Sequence, residues 1–186
     1  MKRRYMQIVR EAAKGGAEMI QVREKDLADG ELLELTRRVV RAARPYRRKV
    51  LVNGRFDVAR LAGASGVHLG KSTVPVEAVR RAMGKNFLIG YSAHSLREAR
   101  EAERRGADFV TYSPVFPTRA PWKGRPKGPA QLRRVAAALR IPVYALGGAS
   151  SANVSRLEKT GIRGVAAVSA IACAKSPSEA VRALQN

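Results

Sequence analysis

Short apolar runs separated by helical segments set the pattern of this chain. The last two runs, Pro142–Gly148 and Gly164–Val168, are rich in small residues and show little polar alternation, which is typical of parallel strands buried on both faces. The segment between them is long enough for a right-handed crossover helix. Counting such runs predicts seven strands, at residues 18–24, 49–53, 66–70, 87–92, 108–113, 142–147 and 164–169. Strands that alternate with helices predict an α/β fold with a parallel sheet.

Glycine and serine residues mark the predicted element boundaries. A glycine just past a helix adopts the left-handed cap conformation, and here an apolar strand follows it at once. Serine starts two helices, because Ser95 precedes Glu98 in a capping box and Ser176 precedes Pro177 and Glu179. The helix-to-strand glycines recur through the chain, at Gly16, Gly63, Gly106 and Gly161.

This repeat predicts a single domain over residues 1–186, a (β/α)8 TIM barrel that lacks its first β-strand at the N-terminus. Residues Tyr5–Lys14 have helical spacing, so the chain starts inside the first helix. Two explanations stay open. Either Met1 is not the natural start, or the barrel has an open seam between the strands at 18–24 and 164–169. Unpaired backbone groups at such a seam favour pairing with another chain, which leaves a homo-oligomer as an alternative.

The charge of the chain is strongly positive. It has 36 Lys and Arg against 15 Asp and Glu, a formal charge of +21. Such a field attracts polyanions. However, the basic residues are spread over many helices, as in Arg80-Arg81, and no nucleic-acid-binding motif is present. We interpret them as solvated helix faces and predict no nucleic-acid partner.

Cysteine content and hydropathy concern the location of the protein. The single cysteine, Cys173, excludes a disulfide within the chain, and its apolar setting predicts a buried thiol. No apolar run is long enough for a membrane span, and the N-terminus has no signal-peptide core. We therefore expect a cytoplasmic protein with no membrane partner.

The last two strands end in candidate phosphate sites. At Gly147-Gly148 no Cβ hinders a ligand, and the N–H groups of a following helix carry partial positive charge. The turn Ser169-Ala170-Ile171 offers the same kind of phosphate site after the final strand. Adjacent sites of this kind match the phosphate site of TIM barrels. The alternative is that Gly147-Gly148 is only a tight turn.

Polar residues also follow the earlier strands, at the end of a barrel where active sites lie. Alternation places Gln21, Arg23 and Lys25 on one side of the first strand, and two close cations suit a phosphate or diphosphate. The loop Arg119–Gly128 is predicted to be a mobile basic lid. The other candidates at this end are Asn53, Lys71, Ser92, His94 and Thr118.

The residues at these strand ends resemble the thiamin phosphate synthase/TenI superfamily. The resemblance implies a TIM barrel acting in thiamin biosynthesis on a small phosphate substrate. Its synthase branch joins an aminopyrimidine diphosphate to a thiazole phosphate with Mg²⁺. Its tautomerase branch, typified by TenI, isomerises a thiazole carboxylate phosphate to its aromatic form without metal. The matching motifs are Gln21-Val-Arg-Glu-Lys-Asp26, Gly66-Val-His-Leu-Gly70, Ser92-Ala-His-Ser95, Pro114-Val-Phe-Pro-Thr118, Leu146-Gly-Gly148 and Val168-Ser-Ala-Ile171.

The resemblance also assigns roles and exposes two departures. It implies that Arg23, Lys25 and Asn53 hold a diphosphate, and that Gly148 and Ser169–Ile171 hold the thiazole phosphate. Synthases carry magnesium-binding aspartates at two positions where this chain has Gly54 and Thr73. Mg²⁺ prefers charged oxygen ligands, which neither residue offers.

These departures favour the tautomerase branch, so we predict a metal-free thiazole tautomerase. The histidine that TenI proteins can carry before Val-Phe is Pro114 here, which makes His94 the candidate proton carrier. We interpret the other histidine, His68, as a core residue. The first alternative is a synthase in which Lys71 replaces the charge of Mg²⁺. The second is a non-catalytic binder of thiazole phosphate.

Overall fold

The computed structural model describes residues 2–118 and 125–185, with side chains from Arg4 onward. Seven strands form one parallel sheet in sequential order. Each lies within or within one residue of a predicted apolar run, which confirms the parallel α/β fold. The strands are β1 Met19–Val22, β2 Lys49–Asn53, β3 Gly66–Leu69, β4 Leu88–Ala93, β5 Phe109–Tyr112, β6 Val143–Leu146 and β7 Gly164–Ala166.

Helices cover one face of the sheet and follow the strands in alternation. The predicted serine caps are confirmed, since the Ser95 hydroxyl accepts from the Glu98 N–H at 3.1 Å and the Ser176 hydroxyl from the Glu179 N–H at 3.4 Å. The α-helices are α1 Lys2–Gly15, α2 Asp29–Ala43, α3 Phe56–Leu61, α4 Val76–Met83, α5 Leu96–Arg104, α6 Gly128–Ala137, α7 Ser169–Ala172 and α8 Pro177–Arg182, and the 3-10 helices are Arg44–Tyr46 and Val154–Thr160.

Both faces of the central strands are buried. The outer face packs on the helices, and Val52, Val67 and Ile89 are fully covered there. The inner face holds a second cluster in which the rings of Phe109 and Tyr144 meet edge to face at 5.5 Å. Strands covered on both sides need apolar residues at successive positions. This explains why the sequence shows runs instead of alternation.

The sheet curves toward closure, but its two edge strands do not pair. Among the described residues no strand lies between β1 and β7. The Tyr144 hydroxyl donates to the Glu18 carboxylate at 3.2 Å across this seam, and Arg163 lies 3.7 Å from the same carboxylate. Outside the sheet, α1 packs against α8. The seven strands therefore form an open barrel, and a complete eight-stranded TIM barrel is not seen in the described part of the chain.

Three further details concern the cysteine, the predicted lid and the length of the helices. Cys173 is exposed, so the prediction of a buried thiol is wrong, because the short helix α7 leaves its own C-terminus on the surface. Most of the predicted lid Arg119–Gly128 lies outside the described residues. Across the described ranges, no helix is both long and apolar enough to span a membrane.

Candidate active site

Polar side chains of β1 and β2 meet at the carboxyl edge of the sheet. The Asn53 amide nitrogen donates to the Gln21 amide oxygen at 3.2 Å. Val22 pairs with Val52, so Arg23 follows β1 beside Asn53, the last residue of β2. The predicted grouping of the first two strand ends is therefore present in the structure.

Three cations flank the end of β2. Arg23 and Lys25 follow β1, Lys71 follows β3, and all three side chains are exposed. Within residues 2–118 and 125–185 none of them forms an ion pair with a carboxylate. Their positive charge is therefore directed to solvent at this edge, where an anion could approach.

Arg55 binds two carboxylates beside the β2 loop. Its guanidinium holds Asp57 through a pair of hydrogen bonds of 2.9 and 2.7 Å, and it also pairs with Asp29. The hydrogen bonds from Arg55 hold the pKa of both carboxyl groups below the ordinary value. The two carboxylates therefore already have a cationic partner.

The positions of the two expected metal ligands lie next to each other but lack suitable donors. A Cβ on Gly54 would lie 3.3 Å from the Thr73 methyl group. The Thr73 hydroxyl donates to the Gly70 carbonyl at 2.7 Å and accepts from the Gly70 N–H at 3.0 Å. The described residues contain no group of three His, Cys, Asp or Glu side chains that could hold a metal. This corner therefore does not fit Mg²⁺.

His68 supports the site from inside the sheet. It is 2% exposed, as expected for a core residue, and burial lowers its pKa from 6.5 to about 4. Its Nε2 lies 2.9 Å from the Ser92 hydroxyl and 3.3 Å from the Thr111 hydroxyl, while Nδ1 has no described partner. Burying a ring N–H without an acceptor costs more free energy than burying a ring nitrogen lone pair without a donor. We therefore assign the proton to Nε2, which donates to Ser92.

His94 lies one residue past β4 and joins two loops. Its Nδ1 donates to the Ser113 carbonyl at 3.0 Å, and its main-chain N–H donates to the Glu98 carboxylate at 2.7 Å. The side chain is half-buried. These contacts fix the β4 loop against the β5 loop. The remaining candidate on that loop, Thr118, is exposed.

The glycine pair after β6 is required by packing. Gly147 and Gly148 have φ values of +96° and +69°. A Cβ on Gly148 would lie 2.2 Å from the Pro117 carbonyl, and one on Gly147 would lie 2.8 Å from Pro114. The Phe116 N–H also donates to the Gly147 carbonyl at 3.0 Å. The pair thus holds the β5 loop close, and the segment that follows is a 3-10 helix instead of an α-helix.

The turn after β7 forms the start of the short helix α7. Ser169 is exposed, and Ala170 and Ile171 are partly exposed. Ile171 donates its N–H to the Val168 carbonyl at 3.1 Å, whereas the N–H groups of Ser169 and Ala170 have no backbone acceptor in the described residues. These two N–H groups lie at the same edge as Gly148, because β6 and β7 pair in register.

Sequence reasoning missed the partners of the two histidines. Thr111 and Ser113 bind His68 and His94 and are both buried. The alternation of β5 places Phe109, Thr111 and Ser113 on the inner face, which was a usable signal. Arg55 gave no such signal, because its two acidic partners lie 26 and 2 residues away along the chain.

Comparisons with known proteins find relatives along nearly the whole chain. A family model described as thiamine monophosphate synthase matches residues 1–171. A thiamine-phosphate synthase of Chlorobium luteolum is 41% identical over 180 residues, 96% of this chain and 85% of the relative. One of Anaeromyxobacter dehalogenans is 43% identical over 177 residues, 95% and 79% of the two chains. The solved thiamine phosphate pyrophosphorylase from Pyrococcus furiosus has a TM-score of 0.88 at 38% identity, and the match covers 97% of this chain and 87% of that one.

The prediction of a thiazole tautomerase, an isomerase, is wrong, since these similar proteins are named as synthases. The prediction gave too much weight to Gly54 and Thr73. These two positions bear on metal binding, whereas the exposed cations Arg23, Lys25 and Lys71 are present regardless. The proton carrier that a tautomerase requires, His94, is engaged with the neighbouring loop.

Proposed function

The chain belongs to the thiamine monophosphate synthase family, and from this premise we propose that it is a thiamine-phosphate synthase, a transferase that acts on small phosphate substrates. The observation that carries the proposal is the similarity to synthases over nearly the full chain, together with the TM-score of 0.88 to a solved pyrophosphorylase. We also propose that residues 1–186 act as one domain, because the seven strands belong to a single sheet.

The proposed reaction joins an aminopyrimidine diphosphate to a thiazole phosphate. The bond between the pyrimidine methylene carbon and the diphosphate oxygen breaks, and its electron pair leaves with pyrophosphate. The thiazole ring nitrogen then donates its lone pair to that carbon, which forms thiamine phosphate. No proton has to move for this carbon–nitrogen bond. The reaction therefore depends on positive charge around the leaving group, which this site provides, and needs no histidine as proton carrier.

We assign the leaving group to the β1–β3 end of the site. Arg23, Lys25 and Lys71 stabilise the negative charge that develops on pyrophosphate, as fixed cations do at phosphoryl groups. Asn53, oriented by its hydrogen bond to Gln21, contacts the same group. The Mg²⁺ that the resemblance implies has no role in this proposal, because neither Gly54 nor Thr73 offers a charged oxygen ligand.

The thiazole phosphate is assigned to the β6–β7 end. There the N–H groups of Ser169 and Ala170 have no backbone acceptor among the described residues, and backbone N–H groups suit a phosphate. Between the two ends, Ser92 accepts from His68 Nε2 and keeps its own hydroxyl hydrogen for a substrate. His94 and Thr118 lie on the loops above and act as positioning residues, with Ile171 and Gly147 supporting the β6–β7 turns.

Turnover tests this proposal directly. Purified protein is incubated with aminopyrimidine diphosphate and thiazole phosphate, in separate reactions with Mg²⁺ and with EDTA, and thiamine phosphate is measured by thiochrome fluorescence. We expect thiamine phosphate in amounts that match the pyrophosphate released. Arg23→Ala should lower kcat/KM by about 10–100-fold, the effect of removing a charged hydrogen bond.

The matched control is Arg37→Ala on the exposed side of α2, which removes the same charge far from the strand ends and should leave kcat/KM unchanged. Failure to form thiamine phosphate under both metal conditions contradicts the proposed function.

A further inference from the structure

The corner formed by the β2 and β3 loops has lost both carboxylates that a metal would need. Gly54 and Thr73 face each other closely, since a Cβ on Gly54 would lie 3.3 Å from the Thr73 methyl. Two aspartates at these positions would share one ion. In this chain a glycine hydrogen and a threonine methyl group lie where those two carboxylates would be. Both halves of the expected metal site are therefore absent from this corner.

Several polar groups of this corner already form hydrogen bonds within the protein. The Thr73 hydroxyl closes a turn onto the N–H and carbonyl of Gly70. The Gly54 N–H donates to the His68 carbonyl at 2.9 Å, and the Asn53 amide is turned toward Gln21. Ordered hydrogen bonds of this kind hold the loops in place without an ion.

The acidic residues of the neighbouring loops also have other surroundings. Asp29 and Asp57 are both bound to Arg55. Glu24 is half-buried in the β1 loop. Asp26 is the exposed carboxylate of the β1 loop that has no described ion pair. Arg23, Lys25 and Lys71 form no ion pair among the described residues, so their charges stay available to an anion.

We propose that this site binds the diphosphate group of its substrate as the metal-free anion, with Lys71, Arg23 and Lys25 in place of a divalent cation. The inference rests on the proposed function, because that function supplies the diphosphate. Lys71 stands two residues before Thr73 in the β3 loop, and its side chain is exposed. Its ammonium group would balance the phosphate charge, whereas Mg²⁺ bound to free diphosphate would lower the negative charge that the cations recognise.

The test is the binding of inorganic pyrophosphate to the full chain, measured by calorimetry in excess EDTA and in excess Mg²⁺. We expect tighter binding in EDTA than in Mg²⁺. Lys71→Gln should weaken the binding in EDTA by about tenfold, as expected for the loss of a charge-assisted contact. Lys85→Gln is the matched control, because Lys85 is exposed and precedes β4 at the opposite, amino edge of the sheet. It should bind pyrophosphate as the unaltered protein does.

A gain-of-function variant adds a second test. Gly54→Asp with Thr73→Asp rebuilds the carboxylate pair, and Asp is among the side chains that tolerate the positive φ of +73° at position 54. Folding is checked by circular dichroism. We expect Mg²⁺ to strengthen pyrophosphate binding in this variant and not in the unaltered protein. Thr73→Asp, which leaves Gly54 in place, serves if the double variant does not fold, and it should show a smaller response of the same sign.

Several results would overturn the inference. The inference fails if pyrophosphate binding by the unaltered protein requires Mg²⁺, or if Lys71→Gln and Lys85→Gln have equal effects. It also fails if Mg²⁺ changes pyrophosphate binding in the unaltered protein but not in the Asp26→Asn variant. The inference and the proposed function fail separately. Metal-free pyrophosphate binding without any thiamine phosphate formation would contradict the proposed function but not the inference. Synthesis that depends strictly on Mg²⁺ would contradict the inference but not the proposed function.

Discussion

The two ends of the candidate site are built from different parts of the chain. At the β1–β3 end, side chains provide the proposed chemistry, with Arg23, Lys25 and Lys71 exposed near the ends of β1 and β3. At the β6–β7 end, the backbone provides it, through the turn at Gly148 and the N–H groups of Ser169 and Ala170. Side-chain charge can be exchanged by single substitutions while the fold stays the same. A backbone turn packed against its neighbour cannot be exchanged in this way.

The difference explains what has changed in this chain. The side-chain end has lost two carboxylates at Gly54 and Thr73, yet β2 and β3 keep their regular pairing. The backbone end keeps its glycine pair, because Gly148 lies directly against Pro117 and Phe116. We therefore expect substitutions at the backbone end to reduce stability and those at the side-chain end to alter binding.

The largest expected effect is at the backbone end. Gly148→Ala combines a positive φ of +69° with a Cβ 2.2 Å from the Pro117 carbonyl, and it should lower the free energy of unfolding by about 3–5 kcal/mol. Gly63→Ala is the control, since Gly63 has a φ of +68° and nothing within 4 Å of an added Cβ. It should cost only about 1–2 kcal/mol, the penalty of the left-handed backbone. Equal losses in urea unfolding would contradict the packing role.

A smaller effect is expected beneath the side-chain end, at His68. Its pKa in the folded state is about 4, below the ordinary 6.5, so the unfolded chain takes up the proton first as the pH falls. Its contribution is complete above pH 6.5 and is lost progressively between pH 6.5 and about 4. The loss amounts to about 3 kcal/mol from the relation between pKa shift and free energy.

This prediction is measured on the unaltered protein by NMR titration of the histidine ring protons and by urea unfolding across the same pH range. If His68 titrates near 6.5, the buried and neutral imidazole described above is not the folded state.

The smallest effect is expected for Ser169→Ala. If the phosphate at this end binds to backbone N–H groups, removal of the hydroxyl should change the affinity for thiazole phosphate by less than about twofold, well under the effect of losing a direct hydrogen bond. Calorimetry with thiazole phosphate measures it, and Lys71→Gln in the same assay should also have little effect. A tenfold loss for Ser169→Ala would show that the hydroxyl itself binds the phosphate.

The fold could be predicted because its signals are local. The runs at 49–53 and 66–70 match β2 and β3 almost residue for residue, since buried parallel strands need continuous apolar segments and the glycines fix where they begin. The segment after β6 was harder. Its residues Val154–Thr160 form a 3-10 helix, and helical spacing alone does not separate the two helix types over such a short stretch.

The site could be predicted only in part. Gln21 and Asn53 were found because strand alternation and chain order place them at one edge, and the structure brings them into contact. The packing role of Gly148 depends on Phe116 and Pro117, more than 30 residues earlier, so no local pattern reports it. The choice between tautomerase and synthase failed for a related reason, because Gly54 and Thr73 report on the metal and not on the reaction.

Phosphorus NMR of the complete reaction in EDTA is the most direct test of the central claim, that this chain is a synthase whose side-chain end works without a divalent cation. Aminopyrimidine diphosphate and thiazole phosphate are mixed with the protein, and both phosphorus-containing products are followed over time. The account predicts thiamine phosphate and pyrophosphate in equal amounts, at a rate in EDTA that is at least equal to the rate in Mg²⁺. Product formation that stops in EDTA and resumes on addition of Mg²⁺ would contradict it.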